Sequence, residues 1–92
     1  MIKSWRHKGL KLFYETGSTS KINAEHADKL HDLLQVLDFA TSPEQMNLPG
    51  LGLHRLHRDL EGFHAVKVSG SWRLIFKFDG QDVILVDYLN YH

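Results

Sequence analysis

Ninety-two residues with a 42% apolar share, 11 basic and 11 acidic side chains, seven histidines and no cysteine have the makeup of one small folded domain, expected to cover residues 1–92. Zero net charge argues against a general nucleic-acid binder held by phosphate neutralisation alone, and the missing thiols exclude disulfides and thiolate metal sites. No apolar run approaches the roughly 20 residues that span a bilayer, and the opening MIKSWRHKGLKLFYE lacks the apolar stretch of a signal peptide, so a soluble cytoplasmic protein with no membrane contact is expected.

After a short apolar start (Ile2 to Trp5), HKGLKLFYETG places Leu10, Phe13 and Tyr14 on one side of a helix, with Gly17 as its stop. The cations Lys3, Arg6, Lys8 and Lys11 occur here with no acid among them. A second helix is expected in NAEHADKLHDLLQVLDFA. Asn23 is a good cap, and Ala27, Leu30, Leu34 and Leu37, with Leu33 beside them, recur as a buried stripe does. His26 and His31 fall on its polar side and, with His7, are expected at the surface. Ser42-Pro43 can start a single turn, and Pro49-Gly50 is a loop.

Beyond the loop the period changes to two. GLHRLH is a candidate short strand. EGFHAVKVSG alternates His64, Val66 and Val68 against Phe63, Ala65 and Lys67, and SWRLIFKF alternates Trp72, Leu74, Phe76 and Phe78 against Arg73, Ile75 and Lys77. DVILVDYL is apolar on both faces, as a covered inner strand is. Ser69-Gly70 and Asp79-Gly80 are tight-turn signals, so these strands should follow one another antiparallel. The expected architecture is α+β: two N-terminal helices packed on one face of a small antiparallel sheet of three to four strands. The open face should carry Lys67, Arg73 and Lys77.

The chain holds no serine-hydrolase elbow, no phosphate-binding glycine loop and no HExxH pattern. His54 and His57 in HRLH would face one way on a helix but opposite ways on a strand, which breaks chelation, so neither a metal nor another cofactor is expected. What remains is His54, Arg73, Tyr91 and His92, with Arg58 and Lys67 of matching type. Cleaving RNA through its own 2′-OH needs a base for that hydroxyl, a cation for the phosphate oxygens and an acid for the leaving 5′-oxygen. Histidine serves as base or acid, arginine grips phosphate with a planar fork, and tyrosine offers a phenolic donor and a stacking ring. By composition alone the set is common, and Tyr91-His92 reads equally well as a solvated tail.

The order of these pieces is more specific. MIKSWRHKGLKLFYETG, LHRLHRDLEGFHAVKVSGSWRLIFKF and the closing NYH together resemble the HigB toxins, a branch of the RelE/ParE superfamily, over nearly the whole chain. The resemblance implies a type II toxin that cuts translated mRNA in the ribosomal A site without metal. It implies neutralisation by a HigA-like helix-turn-helix antitoxin, through which alone operator DNA is contacted. It places the catalytic roles on His54, Arg73, Tyr91 and His92. The basic residues Lys3, Arg6, Lys8, Lys11, Arg58, Lys67 and Lys77 are the expected RNA or ribosome contacts.

Two positions depart from the family pattern. Asn90 stands where the family carries an acid before Tyr-His, and His57 stands where relatives often carry lysine. Both are auxiliary candidates whose change would weaken catalysis or phosphate binding. Two other readings compete: a ParE-like inhibitor of a protein target such as DNA gyrase, and a catalytically weakened relative kept for antitoxin binding.

Overall fold

Helix α1 (Lys8–Thr16) starts where His7 caps it, Nδ1 accepting from the Leu10 amide at 2.9 Å. It stops at Gly17, whose φ of 80° lets its N–H turn back to the Phe13 carbonyl. These features come from the computed structural model, which describes Met1–Tyr91; the expected site residue His92 lies outside the described residues. Leu10 and Phe13 are buried as expected, but Tyr14 is 38% exposed. Its ring lies against Trp5, and its hydroxyl donates to Asp38 on the next helix, at 2.9 Å.

Asn23 does cap, but it caps a 3-10 turn (Ala24–His26) that runs into helix α2 (Ala27–Phe39). α2 buries Leu30, Leu33, Leu34 and Leu37. A second 3-10 turn, Pro43–Met46, follows the expected proline signal and seats Met46 in the core.

The sheet is an antiparallel meander in the order β1 (His54–Arg55), β2 (Phe63–Ser69), β3 (Trp72–Asp79), β4 (Asp82–Asn90). The outer edge of β4 is also occupied. Ile2 and Trp5 bridge in parallel to Val83 and Val86. Val83 N–H donates to the Met1 carbonyl at 2.9 Å, Lys3 N–H to Val83 at 2.7 Å and Arg6 N–H to Val86 at 2.8 Å. Pairing on both edges explains why β4 is apolar on both faces.

A bulge in β4 resolves a conflict in its pattern. Val83 and Val86 are three apart, so a regular strand would turn them to opposite faces. The β3–β4 register slips by one residue between Ile75 and Lys77, and Leu85 absorbs the extra position at φ 55°. Both valines are thereby fully buried in the main core with Leu10, Leu30, Leu34, Leu74 and Phe76. A smaller apolar cluster, Phe63, Ala65 and Ile75, sits on the other face of the sheet, packed by Leu56, Leu60, Leu85 and Leu89. Among the described residues no helix is long and apolar enough to cross a membrane.

Gly9 marks where α1 meets the following loop: a Cβ there would lie 2.4 Å from the Lys21 Cβ and 2.7 Å from the Lys21 carbonyl oxygen. Replacing an exposed helical glycine by alanine ordinarily stabilises by about 1 kcal/mol. Gly9→Ala should do the reverse and destabilise by about 1–3 kcal/mol, seen as a lower urea midpoint at unchanged slope.

Candidate active site

Directly opposed residues of antiparallel strands share a face. The register lines up Lys67, Arg73 and Leu89 in one row and His54, Ala65, Ile75 and Asp87 in the next, on the face away from the helices. The expected open face with Lys67, Arg73 and Lys77 is therefore present, and β1, although only two residues long, adds His54 to it.

His54 is exposed, and its Nδ1 lies 2.9 Å from the Gly52 carbonyl. A carbonyl only accepts, so in the neutral ring Nδ1 carries the proton and Nε2 holds the basic lone pair. Arg73 is half-buried, its Nη1 donating to the carbonyls of Gly70 at 2.6 Å and Trp72 at 3.0 Å. Tyr91 is fastened to the same turn by its N–H on the Ser71 carbonyl at 2.8 Å. Burial pushes the Tyr91 phenol above its ordinary value, and the nearby charge of Arg73 opposes the shift in part. Tyr91 and Arg73 are thus neighbours. His54 stands two strands and two residues from Arg73, a backbone separation of about 12 Å, and the Arg73 guanidinium is held at the Gly70–Trp72 end of its strand.

The remaining candidates divide. Lys67 is exposed in the central row, opposite Arg73. His57 and Arg58 lie beyond β1 in the connection to β2, both exposed. Arg58 has φ 62°, and His57 has its Nδ1 3.7 Å from a Glu61 oxygen. Asn90 Oδ1 accepts from the Ser71 hydroxyl at 2.5 Å. The four N-terminal cations are not one patch. Lys3, Lys8 and Lys11 line a groove with Trp5, Tyr14 and Glu15, whereas Arg6 turns to the open sheet face, its Nε 3.8 Å from Asp87. Among the described residues no three histidine, aspartate or glutamate side chains gather as metal ligands.

The surface assignment of His26 is corrected: the ring is 7% exposed. Its Nδ1 meets the Tyr88 hydroxyl at 2.5 Å, and it stands edge-on to Trp72 at 5.5 Å. Tyr88 stacks on Trp72 at 4.6 Å, and His7 meets the Tyr88 ring edge-on at 5.5 Å. This aromatic group lies beneath the residues just before Arg73 and just before Tyr91. Helical spacing missed it because His26 belongs to the 3-10 turn, whose phase differs from that of α2, and its partner is 62 residues away. Ser71, which no motif singled out, was missed as well.

A sequence model of the RelE-like toxins of the type II toxin–antitoxin system HigB matches residues 3–92. The Endoribonuclease HigB of Proteus vulgaris is 41% identical over 92 residues, all of both chains. Among solved structures, the YoeB/ParE toxin from Agrobacterium tumefaciens superposes with a TM-score of 0.61 at 16% identity, covering 100% of each chain. A chain of the YoeB–YefM complex from Staphylococcus aureus gives 0.60 at 18% identity, covering 100% of this chain and 98% of that one. At these identities the two structures establish the fold.

Tyr88→Phe keeps the stack on Trp72 but strips His26 of its buried partner. The variant should lose about 1–3 kcal/mol of stability, measured by urea unfolding, with a native near-ultraviolet spectrum below the transition.

Proposed function

The chain belongs to the HigB family of RelE-like type II toxins, and we propose that it acts as a ribosome-dependent endoribonuclease, cutting translated mRNA through the substrate's own 2′-OH. The observation that carries this reading is the placement of His54, whose Nδ1 faces the Gly52 carbonyl, on the same sheet face as the neighbouring Arg73 and Tyr91.

In the proposed reaction His54 Nε2 takes the 2′-hydroxyl proton as that oxygen attacks the adjacent phosphorus. The Arg73 fork balances the charge that builds on the non-bridging oxygens, in the position its two backbone contacts set. Tyr91, still protonated at neutral pH, donates to the same phosphate. His92 protonates the departing 5′-oxygen, so a 2′,3′-cyclic phosphate and a 5′-hydroxyl are formed. Lys67 adds charge in the central row. Asn90 acts through Ser71, holding the last strand against the turn that carries Arg73.

Zero net charge leaves the isolated chain with little general affinity for RNA. The ribosome therefore has to present the message in the A site, with the Lys3, Lys8 and Lys11 groove as the ribosomal RNA contact. The antitoxin of this family is taken to be HigA-like, with a helix-turn-helix that alone contacts operator DNA.

Primer extension on translated mRNA after induction should show breaks within reading frames, while naked transcript stays intact. DNA damage without such breaks would instead identify a gyrase-type inhibitor. His54→Ala should lower cleavage by roughly 10²–10⁴-fold, and Arg73→Lys, which keeps the charge but loses the fork, should remain impaired. Full activity in either variant at equal expression removes that residue from the mechanism.

The raised phenol pKa sets a further outcome. Burial disfavours the phenolate, so Tyr91 keeps its proton past its ordinary value near 10. Cleavage should show no loss from this group between about pH 6 and about pH 9. Tyr91→Phe should lower the rate by a factor of roughly 10 that is the same across that range, measured as a pH–rate profile beside the parent.

A further inference from the structure

The open face holds a second pair of cations that the chemistry above does not use. Arg6 Cζ lies 5.6 Å from the centroid of the Phe63 ring, and Lys77 Nζ lies 5.9 Å from the same centroid. An aromatic face attracts a cation and restrains a long side chain that would otherwise sample many rotamers. Both are restrained further. Gly62, at φ 89°, makes room for the Lys77 stem: a Cβ there would lie 3.1 Å from Lys77 Cε. The Arg6 main chain is bonded to β4 through Val86 at 2.8 Å.

Three acids share this face, Asp79, Asp82 and Asp87, and Asp87 is the one that meets the pair. Asp87 approaches Arg6 Nε at 3.8 Å while its Oδ1 accepts the Tyr88 amide at 2.8 Å. Arg6, Lys67, Arg73 and Lys77 share the face with these acids, and the charge set over the Phe63 ring is that of Arg6 and Lys77. Phe63 is 7% exposed, too deep for a nucleobase to stack on. What the ring offers a ligand is the two charges fixed over it, and such a ligand is an anion. Lys77 lies four residues along β3 from Arg73 on the same face, about 13 Å away, a span that a short single strand bridges.

We propose that Arg6 and Lys77 form a second phosphate subsite, which holds the single-stranded mRNA backbone a short distance from the phosphate gripped by Arg73. The proposal rests on the endoribonuclease reading and adds the direction in which the message crosses the sheet, along β3 from Arg73 toward Lys77.

The test measures binding of a short single-stranded RNA oligonucleotide to the His54→Gln chain by fluorescence anisotropy over a salt series, alone and with Arg6→Gln or Lys77→Gln added. Lys29→Gln, on the exposed side of α2, is the control. Each subsite change should weaken binding about three- to tenfold at low salt and reduce the log–log salt slope by about 0.7, while the control keeps both. In the cleaving chain on programmed ribosomes, each should raise KM with kcat held within about twofold, the mark of lost uniform binding.

Arg6→Lys keeps a charge opposite Asp87 and should retain the slope, and Lys77→Gln leaves that pair untouched, so a folding defect at Arg6 does not decide the outcome. A parent that cleaves translated mRNA, with Arg6→Gln and Lys77→Gln unchanged in affinity, slope and KM, overturns the subsite alone. Loss of antitoxin affinity in these variants with RNA binding intact also overturns it and assigns the face to the antitoxin. A parent that cleaves no translated mRNA brings down the endoribonuclease reading, and the subsite falls with it.

Discussion

The parallel pairing of Ile2 through Arg6 with β4 is the contact on which the rest of the arrangement depends. It gives β4 a hydrogen-bonded neighbour on each edge, so the strand can be apolar on both faces without exposing a sticky edge. The same pairing delivers His7 to the start of α1 as its cap and turns Arg6 onto the face opposite the helices. The bulge at Leu85 belongs to this contact as well. Ile2 and Trp5, three apart, meet Val83 and Val86, also three apart, and only an extra residue in β4 allows both valines to point into the core.

The second organising feature is the turn between β2 and β3. The carbonyls of Gly70 and Trp72 take the Arg73 guanidinium, Ser71 takes Tyr91 through its carbonyl, and the Ser71 hydroxyl binds Asn90. A short turn thus gathers side chains from two strands without a dedicated loop. Asn90 can be understood from this contact. Its carbonyl oxygen accepts one bond from a hydroxyl, a role an aspartate oxygen also fills, so exchange between the two at this position would leave the turn intact and change the local charge. Behind the turn, the Trp72, Tyr88, His26 and His7 group fills the space between strand ends and helices with rings that change shape little.

The sheet's two faces do different work. One is sealed by α1 and α2. The other is divided between a small apolar patch, packed by Leu56 and Leu60, and cations held at both ends of β3. The patch lets β1 stay two residues long and still hold His54 in register, since Leu56 N–H also pairs with the Phe63 carbonyl at 2.9 Å. The acids Glu25, Asp28 and Asp32 lie on exposed parts of the helical side, while Asp79, Asp82 and Asp87 share the open face with its cations.

The sequence by itself determined the features that follow from local geometry. Leucines at three- and four-residue spacing made α2, and strict alternation made β2 and β3. Alternation also named Lys67, Arg73 and Lys77 as residues of one face, because side chains on a strand have no other choice of side. The segment holding His54 was read as a candidate short strand, and His54 itself was singled out by its motif. Tertiary structure alone decided the partners: that Ile2 and Trp5 would lie on β4, that His26 would be buried on Tyr88, and that Arg6 would leave Lys3, Lys8 and Lys11 for the opposite side of the molecule. Spacing along a chain sets which way a side chain points within its own element. Which distant group it meets depends on the packing of all the elements at once, and no single stretch of sequence carries that sum.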